Sequence, residues 1–245
     1  MTVRRVAMWS GPRNISTAMM RSFENRSDCA VIDEPFYAAY LAATGHDHPG
    51  RSQVLSSQSQ DWRTVADALC TEEPAPVYYQ KHMTQHILPD MDLAFTEQFT
   101  NCFLVREPRR IIASYARVRE DFSLDELGFA QQAALFEREC DRLGAVPPVL
   151  DAALTLSNPR DVLRQLCSRL SIAFDEGMLS WPAGPRESDG VWGPHWYASV
   201  WASTGFAAPV QGQKEEAVVL SAAQEALCTE AQRSYEIMLT HALRG

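Results

Sequence analysis

Three stretches of the chain carry residue types able to hold an anion and move a proton. The first, Ser10-Gly11-Pro12-Arg13-Asn14-Ile15-Ser16-Thr17, combines a turn-forming loop with one arginine and two hydroxyls. An apolar, β-competent segment over residues 3–9 precedes it and a helix-competent run over residues 18–23 follows. That order gathers backbone N–H groups and the positive end of a helix dipole around one point, which suits a phosphate. The second stretch, residues 103–115, ends a predicted strand at Arg106 and places Ser114 two turns into the next helix, so both can converge on one phosphate. The third group supplies bases. Glu34 follows a short strand in Asp33-Glu34-Pro35-Phe36-Tyr37, His82 follows Lys81, and His86 lies one turn on. A carboxylate or a near-neutral imidazole at such a place can take a proton from a hydroxyl or amine.

The first loop is not a Walker A motif. That motif needs Gly-Lys-Ser/Thr four residues after its first glycine, whereas Gly11 leads to Ser16-Thr17 with no lysine. The difference counts against an ordinary ATPase or GTPase. Plain structural roles compete at every position: a tight turn with Ser16 or Thr17 capping a helix, a surface pair of Arg106 with Glu107 or Asp121, and a helix cap or loop histidine for Glu34 and His82. The aromatics Phe36, Tyr37 and Tyr40, with Trp192, His195, Trp196 and Tyr197, line an acceptor pocket, stack on adenine or simply pack.

The elements needed to position these residues are readable from pattern. Strands are expected at 30–32, 77–80, 101–105 and 148–150, and helices at 61–69, 109–119, 124–143, 158–170 and 221–243. An exposed loop is expected at 45–60, and an irregular tryptophan-rich stretch at 181–206. Strands alternating with helices indicate an α/β chain: a three-layer α/β/α fold with a central parallel sheet, forming one domain over residues 1–245. The chain has 245 residues, 46% hydrophobic and 22% charged, and a formal net charge of −9. Such an acidic balance argues against a broad nucleic-acid or anionic-membrane surface, while leaving room for a local basic cleft. Six cysteines stand singly with no metal-ligand spacing, and no apolar run is long enough to span a bilayer; a cytoplasmic enzyme without a metal is expected.

The two anion motifs resemble those of the PAPS-dependent sulfotransferases, which use 3′-phosphoadenylyl sulfate as donor. Pro12-Arg13-Asn14-Ile15-Ser16-Thr17 matches the family's 5′-phosphosulfate loop in order and spacing, with arginine for the commoner lysine and Ile15 for a usual glycine. Arg106 and Ser114 have the spacing of the family's 3′-phosphate site, and residues 151–172 resemble the segment after its nucleotide site. The resemblance runs through most of residues 3–174. It implies that the fold is P-loop nucleotide-hydrolase-like, with PAPS as donor and PAP, its desulfated form, as product. It also implies Arg13 as electrostatic stabiliser, residues 12–17 with Arg106 and Ser114 as the nucleotide site, and Glu34 or His82 as the base. The implied reaction is sulfuryl transfer to a hydroxyl or amine of a small-molecule acceptor. A small-molecule P-loop kinase and a non-catalytic nucleotide-binding protein are the alternatives. The family's glycine-rich closing loop has only Ser203-Thr204-Gly205 as a counterpart. The acceptor is open, as is oligomeric state, a homo-oligomer included.

Overall fold

In a computed structural model the chain is described over residues 3–117, 122–206 and 219–244. Five strands, β1 (Arg4–Ser10), β2 (Cys29–Asp33), β3 (Val77–Met83), β4 (Thr100–Val105) and β5 (Val149–Asp151), form one sheet in the order β2-β3-β1-β4-β5. Every pairing is parallel. The helices are α1 (Ser16–Glu24), α2 (Tyr37–Thr44), α3 (Arg51–Ser57), α4 (Trp62–Thr71), α5 (Pro108–Ala116), α6 (Phe129–Leu143), α7 (Ala152–Ser157), α8 (Pro159–Leu170), α9 (Gly193–Trp196), α10 (Ala198–Trp201) and α11 (Ala222–Leu239).

The sheet is buried on both faces, as strands joined by helical crossovers must be. On one face Val6, Met8, Tyr79 and Leu104 pack against Met19, Met20 and Phe23 of α1 and Val162, Leu163 and Leu166 of α8. On the other, Ala7, Trp9, Tyr78 and Phe103 pack against Ala66 and Leu69 of α4, Leu135 and Phe136 of α6 and Met238 of α11. The expected three-layer α/β/α architecture is the one observed. Ser221 and Gln224 close a reciprocal cap at the start of α11, and after that helix Leu243 N donates to Val149 O at 2.9 Å, returning the chain to the sheet edge.

Four expectations change in detail. Residues 45–60, expected as an exposed loop, contain α3, which buries Val54 after a left-handed turn at Gly50. The expected helix over 109–119 is described as far as Ala116, and 118–121 lie outside the described residues. The periodicity over 124–143 is split at Gly128, with one tight turn before it and α6 after it. Strand β3 runs on to Met83, so Lys81 and His82 lie within it rather than beyond it.

Gly128 has φ +69°, and a Cβ there would meet Thr84 Oγ1 at 2.5 Å and Gln85 N at 2.6 Å. The same Thr84 hydroxyl donates to Gly128 O at 2.9 Å and lies 3.3 Å from Ser10 O, tying this turn to the end of β1. Gly128→Ala is expected to lower stability by about 1–3 kcal/mol, through both the left-handed backbone and the overpacking. Urea unfolding of the two proteins measures it.

Candidate active site

Strands β1 and β4 are parallel neighbours, with Ser10 opposite Leu104, so the loops that leave their C-terminal ends emerge side by side. Ligands in open parallel sheets bind at such ends. The loop after β1 is shaped by its own contacts. Arg13 has φ +55°, and Asn14 donates through Nδ2 to Leu104 O (3.1 Å) while its Oδ1 accepts from Ile15 N (2.8 Å). Gly11 is required by space, since a Cβ there would meet Leu127 O at 2.7 Å. The N-cap position of α1 is Ile15, which has no side chain able to cap. Ser16 and Thr17 therefore sit in the first turn and do not cap it, contrary to the sequence-based expectation. The open first-turn N–H groups of a helix are anion donors.

The two anion clusters meet. Arg106 Nη1 donates to the carbonyl of Arg13 at 2.5 Å, and Arg13 Nε donates to Ser114 Oγ at 3.0 Å. Pro12, Arg13, Asn14, Ile15, Ser16, Thr17, Arg106 and Ser114 all line a single cavity of about 430 Å³. Burial of the Arg13 guanidinium lowers its pKa, with Tyr115 opposing the shift. An arginine stays cationic there and presents a partly desolvated charge.

The same cavity is also lined by Glu34, Tyr37, His48, Lys81, His86, Trp196 and Tyr197. Asp33 lies opposite Lys81 in the β2–β3 register. The Lys81 ammonium donates to Asp33 Oδ1 (2.8 Å), Glu34 Oε1 (2.6 Å) and the Tyr197 hydroxyl (2.7 Å). Its three protons are thereby matched to three acceptors. Removing one member of such a buried charged group typically costs about 3–5 kcal/mol. Glu34 has φ +41°, an uncommon conformation for a side-chain-bearing residue that turns the chain out of β2 toward α2. Burial raises the Glu34 carboxyl pKa, and the Lys81 ammonium opposes that.

The geometry separates the two candidate bases. Glu34 lines the cavity. His82 does not: it alternates with Lys81 along β3, faces the opposite side of the sheet, and stacks on Trp9 with ring centroids 4.2 Å apart. Its Nε2 lies 3.1 Å from Gln80 Oε1, and burial pushes its pKa down to about 3. A histidine so placed neither reaches a ligand in the cavity nor binds a proton near neutrality. His86 lines the cavity, with Nε2 4.0 Å from Glu34 Oε2, stacked on Tyr37; burial holds it neutral.

Among the aromatics, Tyr37, Trp196 and Tyr197 reach the cavity. Phe36 packs with His82 and Phe95, Tyr40 packs on His86, His195 lies against Gly50, and Trp192 is buried with Nε1 donating to the Tyr197 hydroxyl at 2.9 Å. Ser203 and Gly205 line the cavity beside Phe206. Lys81 was not singled out by sequence reasoning. Its signal was available in the two-residue alternation of β3, which puts it on the face opposite His82.

A family model described as a sulfotransferase domain matches residues 4–241. Two Arabidopsis thaliana proteins, named branched-chain-amino-acid aminotransferase-like proteins 1 and 2, are 38% and 35% identical to the chain over 202 residues. Those residues are 82% of this chain and 36% of each relative, so the chain spans about a third of the length of the curated relatives it matches. Among solved structures, the sulfotransferase domain of the Synechococcus PCC 7002 olefin synthase superposes with a TM-score of 0.62 at 17% identity, covering 96% of this chain and 95% of that one. A sulfotransferase from Alicyclobacillus acidocaldarius gives 0.53 at 10% identity, covering 99% and 98%. At these identities the superpositions speak for the fold, and the family match speaks for the chain: it belongs to the sulfotransferase domain family.

Proposed function

We propose that the protein transfers a sulfuryl group from PAPS to a hydroxyl or amine of a small-molecule acceptor, releasing PAP. The observation that carries this reading is the convergence of Arg13, Arg106 and Ser114 in one cavity that also contains Glu34. The donor set fits a nucleotide with phosphates at two positions. The β1 loop and the α1 N-terminus offer backbone N–H groups, hydroxyls and Arg13 for one anion, and Arg106 with Ser114 offers a charged and a neutral group for the other. PAPS, when bound, supplies an activated sulfuryl group and a stable leaving nucleotide.

The chain's own residues then have separable tasks. Arg13 places a desolvated positive charge where charge builds on the leaving oxygen, the kind of preorganised donor that lowers a barrier most. Residues 14–17 and the α1 N-terminus orient the 5′ side, and Arg106 with Ser114 orients the 3′ side. Glu34 acts as general base. Its Oε1 is held by Lys81, leaving Oε2 to take the acceptor proton. Tyr37, Trp196, Val200 and Phe206 supply an apolar wall that limits water around that proton. The six unpaired cysteines support a cytoplasmic placement.

Four outcomes test the assignment. Arg106→Ala is expected to weaken PAP binding by about 2 kcal/mol, since a charged donor to a desolvated phosphate is lost; calorimetry reads it, and unchanged affinity contradicts the 3′ site. Arg13→Ala is expected to lower turnover of labelled PAPS by about 100- to 1000-fold and PAP affinity much less. Equal losses would reduce Arg13 to a binding group. Because burial raises the Glu34 pKa, and only the ionised carboxylate accepts a proton, turnover is expected to fall as pH drops through a value above the ordinary glutamate range. Glu34→Gln is expected to remove that acid limb and cost about 100- to 10,000-fold in rate with PAP affinity retained. A surviving limb in the glutamine variant would assign the base elsewhere.

A further inference from the structure

Two buried carboxylates share one ammonium beside the cavity, and such an arrangement does not by itself keep both ionised. Asp33 and Glu34 lie 2.8 and 2.6 Å from Lys81 Nζ, and each is less than a tenth exposed. The missing support comes from far along the chain. The Tyr197 hydroxyl donates to Asp33 Oδ2 at 2.7 Å, accepts from Lys81 Nζ at 2.7 Å and from Trp192 Nε1 at 2.9 Å, and lies 3.4 Å from Glu34 Oε1. Its single proton goes to the nearer carboxylate, Asp33. Gly190 N adds a second donor to Asp33 Oδ2 at 3.0 Å.

This arrangement divides the labour. With Tyr197 and Gly190 N serving Asp33, the Lys81 ammonium is not drawn wholly to it and can hold Glu34 Oε1. The Tyr197 oxygen also takes the third Lys81 proton, so Nζ is fixed from three sides. Resting on the reading of Glu34 as base, we propose that Tyr197 is a positioning residue, whose hydroxyl locks the Lys81 ammonium between Asp33 and Glu34 and keeps the Glu34 carboxylate ionised and aimed for proton transfer.

The segment that carries Tyr197 is itself held in place. Asp189 receives two bonds from the buried Arg21 of α1 (2.5 and 2.7 Å) and one from Trp201 Nε1 (2.9 Å), and Arg186 reaches Glu24 at 3.1 Å. The helix that opens the anion loop therefore also anchors the strap that supports the base. The titratable and charged groups around Glu34 are Asp33 from β2, Tyr37 from α2, Lys81 from β3, His86 from the turn after β3, and Tyr197. Of these, Tyr197 is the one that bridges Lys81 and Asp33 through a removable hydroxyl.

Tyr197→Phe keeps the ring and deletes that hydroxyl. Without it the Lys81 ammonium is drawn toward Asp33 and away from Glu34, and the weaker opposite charge beside Glu34 is expected to move the acid limb of turnover to higher pH. The rate at the acid end should fall about tenfold and recover in alkaline buffer, with PAP affinity unchanged. A uniform fall at every pH, or an unmoved limb, would assign Tyr197 a merely structural role and overturn the proposal. A readout independent of turnover is the titration of the Glu34 carboxyl carbon by ¹³C NMR in glutamate-labelled protein, its signal identified by its loss in Glu34→Gln. If wild-type protein transfers no sulfuryl group, the functional reading fails, and the NMR titration still decides the positioning claim: a shift to higher pH in Tyr197→Phe supports it and an unchanged midpoint refutes it. Should Tyr197→Phe not fold, Trp192→Phe, which removes a donor to the same hydroxyl, is expected to shift the midpoint in the same direction by less. No shift there would overturn the proposal.

Discussion

The bond from the Arg106 guanidinium to the carbonyl of Arg13 is the contact on which the site depends. A carbonyl can face Arg106 only if the loop after β1 turns back on itself, and the positive φ of Arg13 accomplishes that turn. Asn14 then fastens the loop to β4 through Leu104 O, and Gln132 Nε2 reaches both Trp9 O and Leu104 O at 3.0 Å from α6. Two strand ends are thereby held at a fixed separation with their cationic side chains on one side. Both arginines line the same cavity, so the loop brings two cationic side chains to one place, where an anion would be favoured.

The cluster around Lys81, which borders the same cavity, has the reverse charge logic. There one ammonium is outnumbered by carboxylates, and the balance is met by hydroxyl and backbone donors from a remote segment. Burial makes each of these interactions strong and each unpartnered group costly, so the cluster is rigid or it fails. A cavity lined by that carboxylate cluster and by two arginines suits the proposed transfer, in which positioning and charge stabilisation do most of the work.

The parts of this arrangement that lie within one stretch of sequence were legible. The strand–loop–helix unit around Pro12, and the Arg106-to-Ser114 spacing across a strand end and two helical turns, follow from local periodicity. The parallel sheet followed from alternation of element types. What could not be read was assembled from distant segments: the Lys81 cluster draws on residues 33, 34, 81 and 197, and nothing in any one of those stretches announces the others. His82 was weighed as a base because the resemblance implies a histidine there, after Lys81 at the end of β3. Once the strand is seen to continue to Met83, its two-residue period sends His82 to Trp9 and Lys81 to the cavity. Residues 45–60 looked like a loop because α3 buries only Val54 fully, and a helix with so narrow an apolar contact has too little periodicity to recognise.

The central claim is that one nucleotide is gripped at two separate phosphates. Isothermal titration of the protein with PAP, adenosine 5′-monophosphate and adenosine 3′-monophosphate addresses it directly. The account predicts that PAP binds at least about tenfold more tightly than either monophosphate, because each lacks the partner of one donor cluster. A monophosphate binding as tightly as PAP would show that the two clusters do not act on the same molecule, and would contradict the account.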